Sequence, residues 1–285
     1  MQSLTRSWAL GQTTFSVMRR DPEMLAFPVL SAFFSILLVA AFLVPTVFLD
    51  VLASGDGVAS LSFGALEMVL AFVLYFALAF LSTFFNVCVV YTAKTRFEGG
   101  NATFFEAVSF AVSRTPRIVS WSVVAATIGL LLRQLDSLAE RDGIPGLVFG
   151  ILRGLLGFAW SLVQLFVVPV MVYEDVGPIE AMKRSAATLR ETWGESLARH
   201  FGLGLLQFLT VLPIVGLFIG SVMLMGTALP VGLAGLALSA LVFVVWLTFF
   251  NVANTVFNTA LYHYASTGEA PEGFEGFAGS AFVSR

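Results

Sequence analysis

The chain has 285 residues, of which 58% are hydrophobic and only 12% charged. A soluble domain runs at roughly 45–50% apolar and about 25% charged, so 15 Lys+Arg and 18 Asp+Glu are too few to cover a water-facing surface of this size. A net charge of −3 gives no basic face for nucleic acid, and a single cysteine, Cys88, excludes a disulfide scaffold or a cysteine-based metal site.

Because about 20 apolar residues cross a hydrocarbon core ~30 Å thick, charge-free runs can be read as spans. Before the first span, Leu4, Trp8, Gly11, Phe15 and Met18 recur at helical spacing with Arg6, Arg19 and Arg20 off the stripe, which predicts an amphipathic helix. The first span covers residues 24–49 and the second 68–93. In the connection that follows, Thr103 and Glu106 have capping-box spacing and lead into Phe105, Val108 and Val112, a second amphipathic helix. The third span, 118–132, is short and bounded by Arg117 and Arg133; the fourth is 154–173. Met182, Ala186, Leu189, Trp193 and Leu197 then predict a third amphipathic helix. Residues 200–268 contain no Asp, Glu, Lys or Arg and hold two spans, turned at Gly226 to Pro230. The expected fold is an all-α polytopic bundle of six transmembrane helices and three interfacial helices, a single membrane domain over residues 1–285 with a polar tail at 266–285.

Lys and Arg are retained on the cytoplasmic side. Eleven of the fifteen basic residues fall in three segments: Arg6, Arg19 and Arg20; Lys94, Arg96, Arg114 and Arg117; Lys183, Arg184, Arg190 and Arg199. That pattern predicts a multi-pass protein of the cell membrane with both termini cytoplasmic. The first apolar run has full span length and no small-residue cleavage site after a short core, so it reads as a retained helix.

The layout repeats. Arg20-Asp21-Pro22 and Arg114-Thr115-Pro116 both put an N-cap residue before a proline at the first helical position. Thr83-Phe84-Phe85-Asn86-Val87 recurs 165 positions later as Thr248-Phe249-Phe250-Asn251-Val252, and Phe166 and Tyr173 follow Phe84 and Tyr91 by 82. Three units, about 1–96, 97–178 and 179–265, are expected, each an interfacial helix plus a two-span hairpin.

The segment 172–185, with Glu174, Asp175, Gly177, Pro178, Ile179, Glu180, Ala181, Lys183, Arg184 and Ser185, together with Arg20-Asp21-Pro22-Glu23, resembles a family of six-span prokaryotic membrane proteins of unknown function, common in archaea and actinobacteria. More distantly, the same segment is similar to one in the membrane domain attached to some glycerophosphodiester phosphodiesterases. The resemblance implies the six-span fold and no activity, because this chain carries no soluble catalytic domain.

Asn86, Thr248, Asn251, Asn254, Thr255 and Asn258 are the candidate lining of a polar groove, since amides in hydrocarbon turn toward the bundle interior. Packing between helices is the alternative role for them. Arg153, Gln164 and Gln207 are candidate buried polar residues; Arg153 lies within the membrane only if its helix starts near Ile144, and otherwise reaches Asp136 or Glu140 at the outer interface. Arg6, Arg19, Arg20, Arg114, Arg117, Lys183, Arg184 and Arg190 are expected to contact lipid headgroups. Gly146, Gly150, Gly154 and Gly157, and Gly216 with Gly220, have the spacing of close helix packing, expected within the chain. Trp121, Trp160 and Trp246 read as helix-packing residues. Glu174, Asp175 and Glu180 read as helix-capping acids, and no phosphate loop, nucleophile elbow or metal-ligand spacing occurs. No enzyme, metal or cofactor is expected. The expected role is a lipid-interacting scaffold or accessory protein, its rival a transporter of small solutes or lipid through the asparagine groove.

Overall fold

The structure, a computed structural model, describes residues 14, 20–54, 65–140, 144–193, 202–271 and 274. Among these the chain is helical with no strand, in eight helices: α1 (Glu23–Ser54), α2 (Ala65–Phe97), α3 (Phe104–Ser113), α4 (Thr115–Ala139), α5 (Ile144–Glu174), α6 (Pro178–Trp193), α7 (Gly202–Leu224) and α8 (Leu229–Thr267). All but α3 and α6 are long and apolar enough to cross a membrane. This is an all-α, multi-pass membrane protein. The expected first interfacial helix with Arg6 and Arg19 lies outside the described residues apart from helical positions at Thr14 and Arg20, and so do Leu197, Arg199 and residues 275–285.

Local chemistry sets the helix ends. At α1 the Met24 N–H donates to the Asp21 carbonyl (3.0 Å) and that of Leu25 to the Pro22 carbonyl (3.1 Å), so the chain turns into the helix at the Asp-Pro pair. At α3 the capping box forms as expected: the Thr103 N–H donates to Glu106 Oε2 (2.8 Å) and the Glu106 N–H to Thr103 Oγ1 (3.3 Å). At α4 the N-cap is Arg114, not Thr115, and it makes no side-chain cap. Thr115 is drawn into the helix because the Arg117 and Ile118 N–H groups both donate to the Arg114 carbonyl.

The hydrogen bonds from Thr103, backbone first, hold the Glu106 carboxyl below its ordinary value of 4.5. A depressed carboxyl stabilises the fold fully above its unfolded value and loses that contribution as pH falls through the folded value. The protection factor of the amides from Thr103 to Ala107, with the intrinsic exchange rate at each pH divided out, should therefore be constant near neutrality and fall only below about 4.5. In Glu106→Gln this acid loss of protection should vanish, and Thr103→Ala should be less protected at every pH, by an amount matching about 1 kcal/mol of lost capping.

Two helices outrun their charge-free runs. α4 continues through Arg133, Gln134 and Asp136 to Ala139, and α5 begins at Ile144 instead of residue 154. Charge marks where a segment prefers water, whereas helix ends are set by backbone hydrogen bonding. Here Arg153 Nε and Nη2 donate to the two Asp136 oxygens (2.6 and 3.3 Å), so a neutralised pair rides on the two continuing helices.

Contacts divide the chain into two compact units, one of Met1–Pro28, Thr92–Ala102 and Arg190–Arg285 and one of Val29–Tyr91 and Thr103–Leu189. In the first, α7 and α8 form a hairpin. Gly232 and Gly235 of α8 lie against Met225 and Ser221, and Trp246 Nε1 donates to Thr210 Oγ1 (3.0 Å). Eight residues back from Thr210 is Gly202, the first of α7; eight on from Trp246 is Asn254, while α8 runs on to Thr267. Beyond Gly268, Phe274 is buried edge-on against Phe97 (6.0 Å), whose ring also meets His263 (5.9 Å).

In the second unit Trp121 stacks on Trp160 (5.5 Å), the packing expected of both, and Tyr91 on Phe110 (4.4 Å). α6 docks on α5 through Ser185, which donates to the Val163 carbonyl (2.6 Å) and accepts from the Phe166 N–H (3.3 Å). α5 carries Pro169 in its interior, one turn from this contact. The buried line on α6 is Ala181, Ser185 and Leu189, while Ala186 is exposed. The expected stripe thus rotates, because small Ala181 and Ser185 allow the close approach that a hydroxyl-to-backbone bond requires.

Among the described residues, the first large apolar side chains to be buried in the even-numbered spans are Phe85 in α2, Phe166 in α5 and Phe250 in α8, after the small Thr83, Gly146, Gly232 and Ser239. Phe85 and Phe250 are the 165-offset pair of the recurring pentapeptide. Before these points the helices mostly expose apolar side chains, such as Met68 and Val69, Leu155 and Phe158, Leu241 and Val245. Such surfaces suit lipid tails.

Candidate functional site

Charged residues close the basic-rich ends of two helix pairs, with opposite polarity. In the first unit, Asp21 at the start of α1 receives Arg96 of α2: Nε donates to Oδ2 at 2.5 Å and Nη2 to Oδ1. Asp21 is 5% exposed and Arg96 21%, and Arg96 Nη2 also donates to Asn101 Oδ1 (2.9 Å). In the second unit the bases stand at the start of α4 and the acid at the end of α5. Arg114 Nη1 and Arg117 Nε (2.9 Å) both meet Asp175 Oδ1, and Arg117 Nε also donates to the Asp175 carbonyl (3.1 Å). The Arg114 guanidinium lies over the Phe110 ring at 5.0 Å. Burial, and then the charge of Arg117, pushes the Arg114 guanidinium below its ordinary range. Its Nε is buried with no hydrogen-bond partner among the described residues. Next to this cluster Arg184 pairs with Glu174 and, at 3.0 Å, with Glu180.

Several residues expected at headgroups are thus held by acids of the same chain. Arg114, Arg117 and Arg184 are ion-paired, whereas Lys183 and Arg190 are exposed seven positions apart on α6. Arg20 is exposed.

Along α8, Asn251 is exposed, and Thr248, Asn254, Thr255 and Asn258 are half-buried; the buried face is Val252, Ala253, Val256, Thr259 and Ala260. Thr248 Oγ1 donates to the Val244 carbonyl (2.9 Å) and the Thr255 carbonyl accepts from Thr259 Oγ1 (2.7 Å). Asn86 is half-buried in the second unit. Gln164 is exposed and Gln207 half-buried. Arg153 is 38% exposed in its pair with Asp136.

Residues 65–274 match a family of unknown function (DUF6159). The chain belongs to this family. No curated protein and no solved structure matches it. The DUF6159 match begins at α2 and ends at Phe274, so it contains the Arg114–Arg117–Asp175 cluster and Arg96, while Asp21 precedes it.

Among the described residues of this DUF6159 chain, no group of three or more His, Cys, Asp or Glu could hold a metal ion. The glycine spacing held only in part. A Cβ at Gly150 would meet Ala139 Cβ at 3.9 Å, whereas nothing among the described residues comes within 4 Å of one placed at Gly154, Gly216 or Gly220, and Gly232 and Gly235 carry the close helix contact. Sequence reasoning also missed Asp21 and Asp175 as ion-pair partners and Ser185 as a docking residue. Asp175 did leave a signal. It precedes Gly177-Pro178 and adopts φ +53, the only non-glycine at positive φ among the described residues.

Proposed function

We propose that this protein is a lipid-interacting scaffold or accessory protein of the cell membrane, with both termini cytoplasmic and with α3 and α6 lying at the headgroup level. The observation that carries this reading is that both short helices expose apolar side chains beside polar ones, and that on α6 the exposed polar residues are basic. α3 exposes Phe105 (80%) and Val112 (57%) beside Ser109 and Ser113, and α6 exposes Ile179 (58%) beside Lys183 and Arg190. A helix in the interface needs an apolar margin facing the acyl chains and cations facing anionic headgroups. The positive-inside distribution, the three-unit repeat and the similarity of the 174–185 segment to a membrane domain in prokaryotic proteins and in some phosphodiesterases belong to the same reading.

The test compares unfolding in phosphatidylcholine nanodiscs with nanodiscs of phosphatidylcholine plus phosphatidylglycerol. Anionic lipid should stabilise the wild-type protein, and Lys183→Gln with Arg190→Gln should remove about 1 kcal/mol of that gain per residue. Equal stability in both discs would sink the reading. The half-buried Asn254, Thr255 and Asn258 favour the rival, a transporter with a polar groove. Solute or lipid uptake that is abolished by Asn254→Leu in a folded protein would select it.

A further inference from the structure

We propose that Arg114 and Arg117 form a binding site for a phosphate group, and that Asp175 occupies this site as an internal anion which the phosphate displaces. The charge balance motivates it. Two guanidiniums share one carboxylate oxygen, a local excess of one positive charge, while the adjoining Glu174 and Glu180 are taken up by Arg184. Both arginines also sit at the N-terminus of α4, a 25-residue helix with no acidic residue in its first turn and no side-chain cap. That end carries roughly half a positive charge of its own, which repels cations and attracts anions. An anion with more charge and more acceptor oxygens than a carboxylate fits this place better.

The donors are available. Each guanidinium has five N–H groups, and the structure uses only Arg114 Nη1 and Arg117 Nε against Asp175. Arg114 Nε is buried with no partner among the described residues. A tetrahedral phosphate can accept from two arginine forks at once, the strongest form of charge-assisted hydrogen bond. Phe110 beneath Arg114 holds the guanidinium plane in place.

Asp175 is suited to leave. It is 46% exposed, lies in the short connection between α5 and α6, and holds its contact from the left-handed region at φ +53. Arg117 is 35% exposed, so the cluster is reachable from the surface. The phosphate can belong to a phospholipid headgroup or to a soluble phosphate; the recognising chemistry is the same. The inference deepens the lipid-contact reading and rests on it for the membrane setting.

Asp175→Asn removes the internal anion while keeping a residue that tolerates the left-handed conformation. In dodecyl maltoside micelles, which carry no phosphate, this variant should bind added inorganic phosphate, or added phosphatidylglycerol, about tenfold more tightly than wild type. Asp175→Gly, free of strain at that φ, should do the same and serves if the asparagine variant folds poorly. Adding Arg114→Gln or Arg117→Gln should abolish the gain. A gain confined to phosphatidylglycerol assigns the phosphate to lipid, and a gain with inorganic phosphate assigns it to a soluble group. If the Asp175 variants bind no better than wild type in either arm, the proposal is overturned. Should wild type still be stabilised by phosphatidylglycerol through Lys183 and Arg190 in that case, the lipid-contact reading survives the loss.

Discussion

Replacing Asp21 by alanine should lower the unfolding free energy by about 3–5 kcal/mol, the usual cost of removing one partner of a buried ion pair. The loss has two parts. Asp21 is 5% exposed and joined to Arg96 through both of its oxygens, so two charge-assisted bonds disappear. The larger part is that Arg96, only 21% exposed, keeps its charge after losing both bonds to the carboxylate. Buried charge without a counter-charge is costly; a buried pair replaced as a whole is not. The double variant Asp21→Ala/Arg96→Met should therefore recover most of the stability lost by Asp21→Ala alone. Denaturant titration of the three proteins in detergent micelles measures the difference. A single variant within 1 kcal/mol of wild type would show that the pair is solvated and contributes little.

Gly232→Ala should cost about 1–3 kcal/mol through overpacking at the α7–α8 contact. A Cβ at that position would come within 2.7 Å of Met225 Cγ, 2.9 Å of the Met225 nitrogen and 2.9 Å of the Ser221 carbonyl oxygen. Two of those three atoms are backbone, so no rotamer change relieves the clash and the helices must separate. Gly220→Ala on α7 is the control. A Cβ there meets nothing within 4 Å among the described residues, and alanine is the better helix former, so stability should hold or rise by up to about 1 kcal/mol. Thermal unfolding of both variants decides it, and equal losses at the two positions would contradict the close contact at Gly232. The same comparison tests where the hairpin packs, because spacing alone favoured Gly216 and Gly220.

Those glycines show how a one-dimensional pattern falls short. A four-residue interval reports that small residues share a helix face, but which neighbour that face meets depends on how the hairpins turn, and the sequence carries no direct record of that. Arg153 is a mixed case. Its expected partner Asp136, 17 positions earlier, is the one it meets, but its charge ends the apolar run at residue 154 and gave no sign that α5 continues through it back to Ile144. Ser185 looked like one polar residue in an amphipathic segment until its bonds to Val163 and Phe166 showed it to be the point where α6 meets α5.

The sequence by itself determined the number of spans, the two short helices Phe104–Ser113 and Pro178–Trp193, the capping box, and the concentration of basic residues at one set of helix ends. These are local properties: hydrocarbon thickness demands a run of apolar residues, and a cap is made by residues three apart. What only the tertiary structure decided is the use of the charges. Asp21 and Arg96 are 75 positions apart, Arg117 and Asp175 are 58, and no periodicity links them. Coulomb attraction in a partly desolvated place selects such partners once the helices have brought them together. A count of cations predicts attraction to lipid, but the fold first spends several of them on its own carboxylates and leaves Lys183 and Arg190 exposed to the surface.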